Sequence, residues 1–192
     1  MIAGVVLAAG SGSRFGAGAK QLAELDGIPL LEHALRAVQA VPGIERVVVV
    51  LGARAEEILA GVDLATAEPV VCADWADGQA ASLRCGIEAV ADADAAVLTL
   101  GDMPRITPAV ITQFADIAAR HGSEARARAV YDGLPGHPVV LGRDYFAQIA
   151  ALQGDVGARE VLKAIGAHSI ECSHLCSPAD VDTPAALEEL RG

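Results

Sequence analysis

The sequence predicts an α/β layered domain with a mostly parallel sheet, and three observations carry that prediction. Short apolar runs rich in Val and Leu recur along the first half of the chain. They lack the strict alternation of a half-exposed strand, as expected for strands buried on both faces. Between them lie segments whose apolar residues return at the period of one helix face. The two kinds of segment alternate, and a strand–helix–strand rhythm closes most simply as parallel strands joined by crossover helices.

Taken in order, residues 2–7 form the first strand. That run is too short to span a membrane, lacks a basic leader and passes straight into a Gly-rich loop, so it reads as a strand and not as a signal peptide. Leu31, Leu35 and Val38 share a helix face ahead of a strand at 46–51. A strand at 69–72, a helix carrying Leu83, Ile87 and Val90, and a strand at 95–100 follow. Thr107 supplies an N-cap and Pro108 the first helical position of a helix bearing Ile111, Phe114, Ile117 and Ala118.

The second half is less regular. Strands at 127–131 and 137–141 flank the turn Asp132-Gly133-Leu134-Pro135-Gly136, and helices are expected near 143–152 and 156–165. A last strand near 169–172 and a helix at 184–190 close the chain. No linker or repeat interrupts this pattern. The 192 residues fit one domain, 1–192, with length enough to bury a substantial core. Hydrophobic residues make up 53% but aromatics only 3%, so that core rests on Ala, Val, Leu and Ile.

A formal net charge of -11 argues against nucleic acid or an anionic membrane as partner, since both need a basic surface. A small anion remains compatible if a few cations gather at one site. Cys72, Cys85, Cys172 and Cys176 form no dense disulfide framework, so reduced thiols in a cytoplasm are the expectation. Cys172 and Cys176, with His168 and His174 nearby, do not have the spacing of a common zinc site. Cys72 and Cys85 read as core thiols.

After the first strand comes Leu7-Ala8-Ala9-Gly10-Ser11-Gly12-Ser13-Arg14-Phe15-Gly16, then Ala17-Gly18-Ala19-Lys20. A P-loop needs Gly-Lys-Ser/Thr at its end, and here Lys20 stands between Ala19 and Gln21. A dinucleotide fingerprint needs G-x-G-x-x-G, whereas Gly10, Gly12 and Gly16 are spaced G-x-G-x-x-x-G. What remains is a loop of small residues whose backbone N–H groups can approach an anion, with Arg14 and Lys20 as cations suited to a triphosphate. An ordinary strand-to-helix loop is the plainer alternative.

The same loop resembles the signature of nucleotidyltransferases that activate sugars, isoprenoid precursors and the molybdenum cofactor. Further segments narrow the resemblance to the molybdenum cofactor cytidylyltransferase-like family. They are Asp74-Trp75-Ala76-Asp77-Gly78-Gln79-Ala80-Ala81-Ser82-Leu83-Arg84, Gly101-Asp102-Met103-Pro104, Gly136-His137-Pro138-Val139, Gly154-Asp155-Val156-Gly157-Ala158-Arg159 and Asp180-Val181-Asp182-Thr183-Pro184. Together the matches run from residue 3 to about 187.

The resemblance implies a three-layer Rossmann-like nucleotidyltransferase fold. It implies transfer of CMP from CTP to a phosphorylated pterin-like acceptor, molybdopterin or its molybdenum-bound form, with loss of pyrophosphate and in the service of a molybdoenzyme. Mg²⁺ is the implied cofactor, with Asp102 and Asp182 as its ligands. Arg14, Lys20 and Asp102 are the implied catalytic set. Leu7, Ala8, Ala9, Gly10, Ser11, Gly12, Arg14 and Lys20 would bind the nucleotide, together with Gln79 and Ser82 from a loop at 78–84. Ala8-Ala9 resembles the cytidylyl-transferring branch, since guanylyl-transferring relatives tend to carry Ala-Gly-Gly there, so CTP is favoured over GTP. Asp74 stands where relatives often have Asn.

His137 and Asp155 resemble acceptor-side positions. Each of these residues also has a plainer reading. Asp102 suits a turn, Asp182 a helix cap, Ser82 a helix start, Gln79 a solvent-facing site, Asp155 the N-cap of a helix from Val156, and His137 a His satisfied by backbone. Arg126 and Arg128 read as a solvated strand edge or, alternatively, as an attraction for an anionic acceptor. Two other functions stay open. One is a nicotinamide-dependent oxidoreductase acting on a quinone-like or pigment-like acceptor; the other is a non-catalytic nucleotide-binding partner of a molybdoenzyme.

Overall fold

Val5 and Val6 point to opposite faces of the first strand, and both are fully buried. The same holds for Val48 and Val49 of the strand beside it, so apolar layers cover the sheet on both sides. The structure, a computed structural model, describes residues 1–16 and 18–191. Ala17, within the Gly-rich loop, and Gly192 lie outside the described residues.

Chain order runs β1 (Ile2–Ala8), β2 (Glu24–Leu25), β3 (Ile28–Pro29), α1 (Leu30–Gln39), β4 (Ile44–Leu51), α2 (Ala55–Gly61), β5 (Glu68–Val71), α3 (Gln79–Ala89) and β6 (Ala95–Leu100). It continues through α4 (Pro108–His121), β7 (Arg126–Tyr131), β8 (Leu134–Gly142), α5 (Phe146–Ala150), α6 (Ala158–Ala164), β9 (His168–Glu171) and α7 (Pro184–Arg191). The main sheet has seven strands in the order β5-β4-β1-β6-β8-β7-β9. Within it only β8 runs antiparallel to its neighbours, pairing with β6 and β7. This is a single α/β domain with a mostly parallel sheet, as the sequence predicts.

On one face, Leu31, Leu35 and Val38 of α1 and Val110, Ile111 and Phe114 of α4 pack on Val6, Val49 and Val97. On the other, Leu83 and Ile87 of α3, Val90 just past its end, and Val161 and Leu162 of α6 pack on Val5, Val48, Val50 and Leu98. Each fully buried side chain of this kind contributes about 1.5–3 kcal/mol. Alternation along each strand divides the Val-rich runs between the two layers, which is why both faces read apolar in sequence. Thr107 caps α4 as expected, its Oγ1 accepting from the Val110 N–H at 3.4 Å with Pro108 at the first helical position.

Several expectations change. The turn at 132–136 shrinks to Asp132-Gly133, with φ of 51° and 80° and Tyr131 paired with Leu134. Two consecutive positive φ angles define the tight hairpin turn that an Asp-Gly pair favours, so β8 starts at Leu134. Asp26-Gly27 turns β2 into β3 in the same way, with φ of 55° and 76°; strands of two residues each are too short to show a period. Residues 143–152 divide into a 3₁₀ turn, Arg143–Tyr145, and α5. The Arg143 guanidinium donates to the carbonyls of Ala93 at 2.7 Å and Asp92 at 2.5 Å, which pins that turn to the neck of β6. The helix expected over 156–165 begins at Ala158, because Gly157 is extended at φ -92°, ψ -173°. Helix α2 escaped prediction because Ile58 is its one buried residue, too few to mark a face.

Candidate functional site

The site forms at the carboxyl ends of β1 and β6, where open α/β sheets place their ligands. Beyond Ala8 the chain enters the Gly-rich loop, held from below by Gln21. The buried Gln21 amide donates to the Ala8 carbonyl at 2.8 Å and to the Gly10 carbonyl at 3.4 Å. Gly12 turns the loop back with φ 60°, and a Cβ there would stand 3.1 Å from Lys20 Cβ. The glycine thus lets the loop close over the lysine.

Lys20 joins the two distant aspartates. Its Nζ donates to Asp102 Oδ2 at 2.6 Å and to Asp182 Oδ1 at 2.9 Å, and Arg14 pairs with the other oxygen of Asp182 at 2.7 Å. Asp102 follows β6 directly. Asp182 is brought to it by the backbone, since the Val181 N–H donates to the Asp102 carbonyl at 2.9 Å. Val181 is fully buried with Leu25, Leu30 and Leu187, so the β2–β3 hairpin and α7 hold the chain end in place.

Burial works against the charge of Lys20, but the two carboxylates outweigh it and raise its pKa. The hydrogen bond from Lys20 holds the Asp182 carboxyl below its usual range. Asp102 Oδ1 is buried with no hydrogen-bond partner. Two carboxylates within bonding distance of one cation, one with a free buried oxygen, fit a hard divalent ion. Mg²⁺ is commonly held by one or two carboxylates plus substrate phosphates.

Beside this cluster opens a cleft of about 670 Å³. Leu7, Ala9, Gly10, Ser11, Arg14, Gln79, Ser82, Asp102, His137, Asp155 and Asp182 all line it. Of the remaining sequence-chosen residues, Ala8 puts its side chain into the core, while Gly12 and Lys20 lie off the wall. Gln79 and Ser82 sit in the first turns of α3 and not in a loop; the helix begins at Gln79.

Its start is anchored by a close backbone approach. The Ala80 N–H donates to the Gly154 carbonyl at 3.1 Å, and a Cβ on Gly78 (φ 106°) would lie 2.5 Å from the Gly154 oxygen. The Gly154-Asp155 motif therefore carries the start of the helix that bears Gln79. Asp155 is not the N-cap of α6, a place Gly157 takes.

His137 stands deep at the foot of the cleft, its Nδ1 3.4 Å from the Leu98 carbonyl. Burial lowers its pKa. Below about pH 6.5, the value for an unperturbed His, the unfolded chain takes up a proton that the folded one refuses, so stability falls as pH falls. The loss reaches at most about 1.4 kcal/mol per pH unit. Denaturant unfolding between pH 7 and pH 5 is expected to show this slope, and His137→Gln to flatten it; an equal slope in the variant would clear His137 of the effect.

Some placements differ from expectation. β7 is interior, flanked by β8 and β9, so Arg126 and Arg128 do not lie on a sheet edge. Arg126 donates to the Tyr145 hydroxyl at 2.6 Å, whereas Arg128 lines the cleft. Trp75, Arg159 and Asp180 also line it, although the sequence reading gave none of them a role. All three fall inside the segments that carry the family resemblance, a signal that was present. Gln21 carried no signal beyond its place after Lys20. Cys72 and Cys85 meet at 2.7 Å between sulfurs on the α3 side of the sheet, and burial pushes the Cys85 thiol up to about 12. Among the described residues, no helix is long and apolar enough to cross a membrane.

A family model for the MobA-like NTP transferase domain matches residues 4–170. Nicotine blue oxidoreductase of Paenarthrobacter nicotinovorans is 32% identical over 98% of this chain and 96% of its own length. The crystal structure of a Mycobacterium tuberculosis Rv0371c homologue from Mycobacterium sp. strain JC1 superposes with a TM-score of 0.82 at 30% identity, covering 99% of this chain and 94% of that one. The manganese complex of Rv0371c from M. tuberculosis superposes with a TM-score of 0.77 at 29% identity, covering 98% and 97%.

Proposed function

The chain belongs to the MobA-like NTP transferase domain family, and from that premise we propose that it is a Mg²⁺-dependent cytidylyltransferase acting on molybdopterin or its molybdenum-bound form. The observation that carries the reading is the meeting of Asp102 and Asp182 on one cation beside the Gly-rich loop. A phosphate oxygen of the acceptor attacks the α-phosphorus of CTP in line; the bond to the β-phosphate oxygen breaks, and pyrophosphate leaves.

Asp102 and Asp182 would hold the metal, which supplies charge neutralisation at the α-phosphate. Arg14 offers a planar fork and Lys20 a point charge to the departing pyrophosphate. Both are now tied to the aspartates, so a divalent cation that takes over those carboxylates frees them for phosphate. The acceptor phosphate is already ionised, and no general base is required. Positioning and charge supply most of the rate. Gln79 and Ser82, on the first turns of α3, face the cleft where the base would lie. Ala8-Ala9 supports cytosine over guanine, and His137 and Asp155 face the acceptor.

Nucleotide binding is tested by thermal melting with Mg²⁺ and each of CTP, GTP, ATP and UTP. A ligand at a hundred times its Kd adds about 2.7 kcal/mol, roughly 5–10 °C in a domain of this size. CTP is expected to give the largest shift. No shift with any of the four would overturn the proposal.

One observation favours a second reading. The near full-length identity to nicotine blue oxidoreductase supports an NAD(P)H-dependent reduction in the same cleft, although Gly10, Gly12 and Gly16 lack dinucleotide spacing. NAD(P)H fluorescence on titration with the protein separates the two readings.

A further inference from the structure

We infer that Gly157 is a positioning residue for the nucleotide. The lack of a side chain there sets where the Gln79 amide stands in the cleft, and so how tightly the base is held. This rests on the nucleotidyl-transfer reading, in which Gln79 meets the base. It gives the segment 154–157, which also carries Asp155, a part in nucleotide affinity.

Gln79 is the first residue of α3 and Gly157 the residue just before α6, and both line the cleft. A Cβ on Gly157 would stand 2.6 Å from Gln79 Oε1 and 3.6 Å from Gln79 Cδ. Ordinary non-bonded contact begins at about 3.5 Å. The amide head therefore occupies the space that a side chain at 157 needs, and the two cannot coexist.

Backbone conformation does not ask for glycine at 157. Its φ of -92° and ψ of -173° are extended, open to other residues. Gly78 and Gly154 differ, since their φ angles of 106° and 67° favour glycine by themselves. At 157 the demand comes from Gln79 alone.

The two main chains are held too closely to part. The Ala80 N–H donates to the Gly154 carbonyl at 3.1 Å, and a Cβ on Gly78 would lie 2.8 Å from the Asp155 nitrogen. Beyond Gly157, Val161 and Leu162 of α6 are buried in the same layer as Leu83 and Ile87 of α3. A side chain at 157 would thus displace the far end of Gln79, a flexible and exposed residue. Among the described residues the Gln79 amide makes no hydrogen bond. Packing at Gly157 places it, and its donor and acceptor are left for a ligand.

The test is a double-mutant cycle on binding. Native protein, Gly157→Ala, Gln79→Ala and the double variant are titrated calorimetrically with CTP and Mg²⁺, without acceptor. Inorganic triphosphate with Mg²⁺ serves as the probe that lacks a base. Gly157→Ala and Gln79→Ala should each weaken CTP about three- to tenfold, the worth of one or two hydrogen bonds. The double variant should bind CTP no more weakly than Gln79→Ala alone, and all four proteins should bind triphosphate alike. Alanine is a poorer N-cap than glycine, so Gly157→Ala should also melt slightly lower. That fall is common to both backgrounds and does not enter the cycle. Native CTP affinity in either single variant, an equal loss for triphosphate, or losses that multiply in the double variant would overturn the inference. Binding of CTP by the native protein separates the two claims. CTP binding that Gly157→Ala leaves unchanged removes only the role of Gly157, whereas no CTP binding by the native protein removes the nucleotidyl-transfer reading and this inference with it.

Discussion

Asp102→Ala is expected to lower CTP-dependent pyrophosphate release by a factor of about 10²–10³, with little change in folding. Loss of one preorganised charge contact to a transition state costs about 2.7–4 kcal/mol, and Asp102 contributes two such oxygens. One holds Lys20 at 2.6 Å, and the other is buried without a partner, available to a metal. Stability is spared because Lys20 keeps its 2.9 Å contact to Asp182, and the repulsion between two neighbouring carboxylates goes with the substitution. Pyrophosphate release with CTP, Mg²⁺ and molybdopterin measures the first effect, and metal-free thermal melting the second. Retained turnover would remove Asp102 from the metal site. A collapsed melting temperature would make its role structural.

Lys20→Met should have the opposite profile, a loss of stability that a divalent cation repairs. The Lys20 side chain is 10% exposed and sits between carboxylates that are 22% and 34% exposed. Removing one partner of a buried pair costs about 3–5 kcal/mol, and the exposure of the aspartates reduces this to about 2 kcal/mol through solvent screening. The melting temperature without metal should fall by roughly 4–8 °C. Millimolar Mg²⁺ or Mn²⁺ should restore most of that fall in the variant and act less on the native chain, where the ion competes with the ammonium. A variant that melts at the native temperature and ignores both ions would show that the two carboxylates do not form a cation site.

Much of the scaffold was legible because its signals are local. Paired buried valines such as Val5–Val6 and Val48–Val49 mark strands covered on both sides, and Leu31, Leu35 and Val38 mark a helix face by spacing alone. Elements with few buried residues were lost: α2 rests on Ile58, and the β2–β3 hairpin is shorter than any period. The end of the 132–136 turn was misplaced because Asp132-Gly133 suffices to reverse the chain. The start of α3 was placed late because it depends on the Gly154 carbonyl, far along the sequence.

Of the site, the sequence by itself determined the chemical inventory: a loop of small residues, Arg14 and Lys20 as its cations, and Asp102 and Asp182 in distant turns. Only the tertiary structure decided that these four meet. That meeting depends on the pairing of β1 with β6, on the bond from Val181 to the Asp102 carbonyl, and on α7 packing at the β2–β3 hairpin. It also decided that Arg128 faces the cleft and Arg126 does not. The reason is one of range. Periodicity, capping and turn chemistry act over a few residues and can be read in order, whereas a carboxylate pair on one cation is a contact between residues far apart in sequence, set by strand order and register.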